Sequence, residues 1–165
     1  MNFAYLLLGS NLDDRSAKLQ RAKEAISARI GNITRESSVY ESEPWGFQSE
    51  HWFLNQVIRI ETNYRPIQVL EKILRIEHKL GRYRSGDQGY KSRSIDIDIL
   101  FYNDEIISED KLTIPHPKIP ERMFTLLPLS ELDRSMIHPG SRKSISDLMR
   151  ECPDTLNVYP YRSKL

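Results

Sequence analysis

The sequence has little cysteine, no large excess of one charge and no long apolar runs, and each of these features excludes a class of protein. Cys152 is the only cysteine, so the chain cannot form an internal disulfide or a cysteine-based zinc site. Lys and Arg number 24 and Asp and Glu 23, a net charge of +1 that lacks the basic excess of most nucleic-acid-binding proteins. We therefore expect a cytoplasmic protein that has no nucleic-acid partner and whose cationic sites are local.

Membrane segments, repeats and the common phosphate-binding motif are also missing. The apolar run at 3–8 is too short to span a bilayer and has the length of a buried strand. No Gly-Lys-Ser or Gly-Lys-Thr string occurs, which excludes the Walker type of phosphate-binding loop. Because no repeat or low-complexity linker divides the 165 residues, we expect a single domain, 1–165, without membrane contact.

Apolar periodicity predicts alternating strands and helices along the chain. The principal strands are expected at 3–8, 33–40, 53–62 and 95–102. One long helix is expected to follow Asn11 or Asp13 and to end at Gly31, and the other to occupy 66–81. This order is that of a ferredoxin-like α+β sandwich, with a mostly antiparallel sheet and helices on one face. The opposite face, with its long loops, is then free for a site.

The most informative string is Arg-Ser-Ile-Asp-Ile-Asp-Ile-Leu at 93–100. Side chains alternate along a strand, so Asp96 and Asp98 should leave one face and the isoleucines the other. Their Cα atoms would lie roughly 6.5–7 Å apart, a spacing at which two carboxylates bracket a pair of metal ions such as magnesium. A solvated acidic face is the alternative, but the mutual repulsion of the two charges favours a cation site.

A basic, glycine-containing segment leads directly into this pair. Arg82, Arg84, Lys91 and Arg93 lie within twelve residues that also hold Gly86 and Gly89. Guanidinium groups bind phosphate oxygens bidentately, and glycines would allow such a loop to close over a ligand. A solvated charged loop is the alternative, and the neighbouring aspartates favour a polyphosphate site.

Two polar or aromatic groups suggest a ligand beside the aspartates. Phe53 and Asn55 should point the same way from their strand, and an aromatic face beside a carboxamide suits a flat heterocycle. A core phenylalanine with a satisfied asparagine is the alternative. His116 lies between two prolines that stiffen its loop, and it could contact a phosphate. Glu77, on the apolar side of its helix, either orients an arginine or a metal-bound water or is a tolerated acid at a helix end.

Together these residues follow the pattern of a known family. The matching segments are Gly9-Ser10-Asn11, 40–46, 53–55, Glu77 with Gly81-Arg82, Arg93 with Asp96 and Asp98, 114–117, Glu121-Arg122 with Phe124, and 128–129. Over nearly its whole length the chain resembles the 6-hydroxymethyl-7,8-dihydropterin pyrophosphokinases of folate biosynthesis. The resemblance implies a ferredoxin-like fold and the magnesium-dependent transfer of the β,γ-pyrophosphoryl unit of ATP to the pterin alcohol, with release of AMP.

The resemblance also implies roles for individual residues. Asp96 and Asp98 would hold two magnesium ions and act in catalysis with Arg82 and Arg93. The pterin would contact Ser42, Pro44, Trp45, Phe53, Asn55 and Phe124. ATP would contact Arg82, Arg84, Lys91, Arg93, Ile99, Thr113, His116 and Arg122. Glu43 stands where relatives often have proline. Before the arginine, where many relatives carry Trp-Gly-Pro, this chain has Tyr90-Lys91-Ser92.

Two other functions fit parts of the sequence. A small α+β sandwich can bind RNA on its open face through aromatic residues and basic loops, but the acidic pair and the near-neutral charge count against this. A catalytically inactive relative would serve as an interaction protein, and the intact Asp96 and Asp98 pair argues otherwise. We expect a monomer that acts on two small molecules.

Overall fold

An antiparallel six-stranded sheet forms the centre of the structure, a computed structural model that describes residues 1–81 and 94–162. The sheet strands are β1 (Asn2–Ser10), β2 (Asn32–Glu36), β3 (Tyr40–Ser42), β4 (Phe53–Thr62), β5 (Asp96–Tyr102) and β8 (Val158–Pro160). Their spatial order is β5-β1-β4-β3-β8, and β2 pairs with β4 on the same edge as β3. Between β5 and β8 in the chain, β6 (Ile107–Ser108) and β7 (Thr113–Ile114) form a separate hairpin.

Four α-helices pack on this sheet: α1 (Arg15–Arg29), α2 (Pro66–Lys79), α3 (Met123–Asp133) and α4 (Ile145–Glu151). Helix α1 begins where the Asp14 carboxylate accepts the N–H of Ala17 at 3.1 Å, which satisfies one of the free donors of its first turn. The chain reverses after α1 at Gly31, where a Cβ atom would lie 2.1 Å from the carbonyl oxygen of Glu61. Glycine is therefore required there by close packing.

The sheet is buried on both faces because apolar side chains alternate along its strands. In β1, Ala4, Leu6 and Leu8 pack under α1 and α2, whereas Leu7 faces α3 and α4. Each fully buried leucine or isoleucine contributes about 1.5–3 kcal/mol relative to an exposed one. Two separate apolar layers thus hold the helices, one on each side of the sheet.

The predicted α+β fold class is confirmed, and β4 has the bounds expected from the sequence. Three details differ. The expected strand at 33–40 is two shorter strands, β2 and β3, and the sheet gains β8 near the end of the described residues. The face predicted to be free of helices is covered in part, because α3 and α4 pack over its centre. Within residues 1–81 and 94–162, no helix is both long and apolar enough to cross a membrane.

Candidate active site

The two predicted metal ligands lie at the beginning of β5, the strand at one edge of the sheet. Ile97 is buried in the core beneath α1 and α2, while Asp96 and Asp98 on either side of it are partly exposed. The alternation expected from the sequence is therefore present. Both aspartates line two separate cavities, which we call the aromatic cavity and the edge cavity.

The aromatic cavity has a volume of about 290 Å³ and opens on the face that α3 covers in part. Its lining residues are Leu7, Gly9, Ser42, Glu43, Trp45, Phe47, Phe53, Asn55, Asp96, Asp98, His116, Pro117, Lys118, Arg122 and Phe124. Phe53 comes from β4, Phe124 from α3, and Trp45 and Phe47 from the loop at 43–52. The rings of Phe47 and Phe53 meet edge to face with centroids 6.0 Å apart, a favourable aromatic geometry.

One wall of the aromatic cavity is polar and fixed. Asn55 Nδ2 donates to Ser42 Oγ at 2.7 Å, and both residues are buried. A Cβ atom at the facing Gly9 would lie 3.4 Å from Asn55 Oδ1 and 3.7 Å from Phe53 Cδ1. Because Gly9 has no side chain, the space in front of this carboxamide stays open. The wall can thus present an oriented acceptor to the edge of a planar ligand.

Arg122 supplies positive charge at the border of the aromatic cavity. The residue is buried, and its guanidinium carbon lies 4.5 Å from the ring centroid of Trp45 and 5.5 Å from that of Phe124. Cation–π attraction is strongest for such a desolvated cation. These contacts join the loop at 43–52 to the first turn of α3.

The edge cavity, of about 270 Å³, lies along the outer side of β5. Its lining residues are Leu70, Leu74, Glu77, Asp96, Ile97, Asp98, Ile99, Lys111, Leu112, Thr113, His116 and Pro117. Leu70 and Leu74 of α2 and Leu112, just before β7, contribute aliphatic side chains to its walls, beside the charged side chains of Glu77 and Lys111. The cavity therefore combines an apolar surface with the same two aspartates that border the aromatic cavity.

His116 is held between the two cavities by an irregularity in β5. Leu6 pairs with Ile99 and Tyr5 with Phe101, so Leu100 is the extra residue of a β-bulge, and its carbonyl accepts the N–H of His116 at 3.0 Å. Such bulges commonly redirect groups at functional sites.

The His116 ring has a defined protonation. Its Nδ1 accepts the N–H of Lys118 at 3.1 Å, so the proton of the neutral ring is on Nε2, which lies 4.0 Å from Asp98 Oδ2. Burial, followed by the charge of Arg122, lowers the pKa of His116 to about 4. The ring is therefore neutral at pH 7 and offers an Nε2–H donor beside the aspartates.

Glu77 has a structural role that the sequence did not reveal. Its side chain is 3% exposed, and Oε2 accepts the backbone N–H of Ile97 at 2.9 Å. That N–H lies on the outer edge of β5, between the two aspartates, where β1 does not reach. The carboxylate of α2 thus fixes the backbone that carries Asp96 and Asp98.

The structure brings together most of the residues predicted for the site. Those that line the aromatic cavity are Ser42, Trp45, Phe53, Asn55, Asp96, Asp98, His116, Arg122 and Phe124, and Ile99 and Thr113 line the edge cavity. Pro44 belongs to the same loop but is not a lining residue. The predicted Arg82, Arg84, Lys91 and Arg93, with Tyr90, lie outside the described residues.

Sequence reasoning missed several lining residues, of which Phe47 is the most informative. It lies in a loop that also holds Trp45 and Trp52, and no periodicity marks such a position. Lys118 was also missed, although its Nζ lies 6.0 Å from the Trp45 ring centroid.

The aspartate pair fits a magnesium ion that substrate helps to bind. Within the described residues, no group of three or more His, Cys, Asp or Glu side chains could hold a metal by itself. Magnesium is commonly held by one or two carboxylates plus water and substrate phosphates, and the Asp98 side chain is 29% exposed toward such ligands. A site made entirely of protein ligands, such as a structural zinc site, does not fit these residues.

The chain is similar to pyrophosphokinases from several bacteria. The 2-amino-4-hydroxy-6-hydroxymethyldihydropteridine pyrophosphokinase of Aquifex aeolicus is 39% identical over 151 residues, 92% of each chain. The protein of the same name from Haemophilus influenzae is 38% identical over 153 residues, 92% of this chain and 93% of that one. The folic acid synthesis protein fol1 of Pneumocystis carinii is 37% identical over 150 residues, but this chain spans only 20% of its length.

Solved structures share the fold, and a family model matches most of the chain. The structure of Plasmodium falciparum HPPK-DHPS wild type with pteroate matches 91% of this chain with a TM-score of 0.74 at 17% identity. This chain spans 44% of that longer chain. The model of 7,8-dihydro-6-hydroxymethylpterin-pyrophosphokinase (HPPK) matches residues 5–134. Because this stretch runs from β1 through α3 and contains both cavities, the chain belongs to the 7,8-dihydro-6-hydroxymethylpterin-pyrophosphokinase family.

Proposed function

We propose that this protein carries out the pyrophosphoryl transfer of its family at Asp96 and Asp98, with the pterin in the aromatic cavity and ATP in the edge cavity. The reaction converts ATP and 6-hydroxymethyl-7,8-dihydropterin into AMP and the pterin diphosphate, a step of folate biosynthesis. The observation that carries the proposal is the position of the two aspartates, which line both cavities at once. An RNA-binding module would need neither this pair nor two cavities that share it, and the family match does not favour it.

The aromatic cavity supports pterin binding by its shape and its polar wall. Phe53 and Phe124 would enclose the two faces of the ring, and Trp45 would close the cavity from the loop. Asn55, which Ser42 holds in place, would accept a hydrogen bond from the pterin edge. Ring stacking and an oriented carboxamide together select a flat heterocycle over other alcohols of similar size.

The edge cavity supports nucleotide binding. Its aliphatic walls would hold the adenine near the backbone of Ile99 and Thr113, and His116 Nε2–H and the Arg122 guanidinium would face the triphosphate. The further phosphate contacts proposed for Arg82, Arg84, Lys91 and Arg93 rest on the sequence, in which these residues directly precede the aspartates. We also propose that the chain works as a cytoplasmic monomer.

The chemistry requires positioning and charge neutralisation more than covalent participation of the protein. The pterin hydroxyl oxygen bonds to the β-phosphorus of ATP, the bond from that phosphorus to the α,β-bridging oxygen breaks, and AMP leaves as the hydroxyl proton is lost. Two magnesium ions held by Asp96 and Asp98 would supply charge neutralisation and a lowered hydroxyl pKa. The neutral His116 donates toward the phosphates, while the aromatic walls exclude water that would compete as the acceptor.

The direct test is to incubate the protein with ATP, magnesium and 6-hydroxymethyl-7,8-dihydropterin and to identify the nucleotide product. We expect AMP in amounts equal to the pterin diphosphate, and no AMP when EDTA removes the metal. Formation of ADP would assign a different reaction class, and turnover that persists in EDTA would refute the magnesium requirement. Salt-sensitive RNA binding without ATP turnover would favour the binding module instead.

A further inference from the structure

The segment at 154–159 contacts Glu43, which lines the aromatic cavity, and two residues, Met123 and Trp52, that adjoin lining residues in the chain. The segment lies beyond the stretch 5–134 that the family model matches. The first contact is with Glu43, which lines the cavity in the loop between Ser42 and Trp45. Glu43 Oε1 accepts the backbone N–H of Asn157 at 3.0 Å and its Nδ2 at 2.5 Å, and Glu43 N donates to Asn157 O at 3.1 Å. Three hydrogen bonds thus join the loop to this segment.

The second contact is at the opposite wall, where α3 begins. Asp154 Oδ2 accepts the N–H of Met123 at 3.0 Å, and Oδ1 accepts the N–H of Leu156 at 3.0 Å. Arg122, in the N-cap position of α3, makes no side-chain cap hydrogen bond. The Asp154 carboxylate therefore provides the hydrogen-bond acceptor that an N-cap side chain normally provides for the first turn of a helix. Met123 lies between two cavity residues, so this bond fixes the backbone that carries both of them.

The third contact stabilises β4 near Phe53. The rings of Trp52 and Tyr159 stack with centroids 6.4 Å apart and an interplanar angle of 15°. The backbone of Tyr159 belongs to β8, which pairs with β3 opposite Glu41. The residue that precedes Phe53 is thereby attached to the same segment as the loop and α3.

We propose that the segment at 154–159 is a positioning element that sets the separation of the aromatic cavity walls. This inference rests on the proposed function, because the ligand of that cavity is taken to be the pterin. A ring bound between Phe53 and Phe124 requires a fixed gap, and this segment holds the elements on both sides of that gap. None of its residues is among the described residues that line the edge cavity, so its loss should weaken pterin binding and leave ATP binding unchanged.

The test compares two disruptive variants with matched conservative ones. Glu43→Ala and Asp154→Ala remove the acceptors, whereas Glu43→Gln and Asp154→Asn keep an oxygen in the same place. Thr155→Ala is the control, because Thr155 is an exposed residue of the same segment and its substitution removes none of the contacts described above. Pterin affinity is measured by intrinsic pterin fluorescence in the presence of a non-hydrolysable ATP analogue, together with both KM values, kcat and the Tm.

We expect each alanine variant to weaken pterin binding by about three- to tenfold, as the loss of one or two partly exposed hydrogen bonds would do. Glu43→Gln and Thr155→Ala should stay within about twofold of the wild type. Asp154→Asn keeps one of the two acceptor oxygens and should lie between the wild type and Asp154→Ala, and the KM for ATP should not change in any variant. A lower Tm with unchanged pterin affinity, or an equal loss of affinity for both substrates, would overturn the proposal.

The failure of the proposed function would look different. If the wild type binds the pterin but forms ADP or no product, the transfer reaction is wrong and the affinity series still decides the role of the segment. If the wild type does not bind the pterin at all, both proposals are overturned.

Discussion

The two cavities that share Asp96 and Asp98 are lined by different kinds of side chain. The aromatic cavity is formed by rings and a buried amide pair, Asn55 and Ser42, which packing holds in place. The edge cavity has aliphatic walls and its described charges come from few side chains, among them Lys111 and Glu77. Under the proposed function, shape and an oriented amide would select the flat pterin ring, whereas bound cations and basic side chains would hold the triphosphate. Both cavities are lined by Asp96, Asp98, His116 and Pro117. The difference between the two cavities can be tested in four ways.

The largest effect is expected where the two cavities meet. Asp96→Ala and Asp98→Ala should each lower kcat by about 10²- to 10³-fold, because each removes a proposed ligand of the ions that neutralise the phosphates. The Tm should change little, since both side chains are partly exposed. AMP formation at saturating magnesium measures the loss. Asp104→Ala, at an exposed acid in the turn after β5, is the control, and near-normal turnover in both aspartate variants would contradict the metal role.

A substitution at Gly9 should affect the aromatic cavity without affecting the edge cavity. Gly9→Val places a branched side chain against Asn55 and Phe53, where even a Cβ atom would come within 3.4 Å of the carboxamide oxygen. We expect the KM for the pterin to rise about tenfold or more through overpacking, with the KM for ATP unchanged. Steady-state kinetics with each substrate varied in turn measures both values. Equal increases for the two substrates would show that the cavities are not independent.

Removal of the Glu77 carboxylate should affect the edge cavity more than the aromatic cavity. Glu77→Ala leaves the buried N–H of Ile97 without this acceptor, which should lower the free energy of unfolding by about 1–3 kcal/mol. Because Glu77 lines only the edge cavity, the KM for ATP should rise while pterin affinity changes less. Denaturant unfolding and ATP kinetics measure the two effects. Glu77→Gln, which keeps an oxygen acceptor, should recover most of the stability, and equal losses in both variants would argue against the hydrogen bond as the cause.

The smallest effect is expected at Trp45, whose ring covers Arg122. Trp45→Ala removes a cation–π contact of about 0.5–2 kcal/mol and exposes the guanidinium to water. Arg122 lies at the cavity border, so we expect modest increases in the KM for both substrates, about two- to tenfold. Trp45→Phe keeps a ring and should lie between the wild type and the alanine variant. A change confined to the pterin would mean that the ring acts on that ligand alone.

Features that depend on local pattern were predictable from the sequence. The bounds of β4 and the common face of Asp96 and Asp98 follow from strand periodicity, which needs no knowledge of the rest of the fold. The contact of Glu77 with Ile97 joins residues twenty positions apart, and it depends on how α2 packs against β5. No local signal marks such a bond.

Short or irregular elements were missed for a related reason. Strand β8 has only three residues and forms by pairing with the edge of β3. The β-propensity of three residues is too weak a signal to predict a strand. The β-bulge at Leu100 adds one residue to a strand whose apolar pattern looks continuous. The position of His116 therefore could not be derived, although the residue itself was identified. Pairing between residues distant in the chain positions the site, whereas the identity of its reactive side chains can be read from the sequence.

The bond from Glu77 to Ile97 has a consequence for how the protein behaves in a crowded solution. An unpaired strand at the end of a sheet is a template onto which another chain can add, and proteins protect such borders in several ways. Here the outward amide at the middle of the acidic stretch is already occupied by a carboxylate from α2. A foreign strand would have to displace that carboxylate and lie beside two negative charges. Addition of a foreign strand to this border would therefore be disfavoured, whereas small anions accompanied by cations would still reach the aspartates.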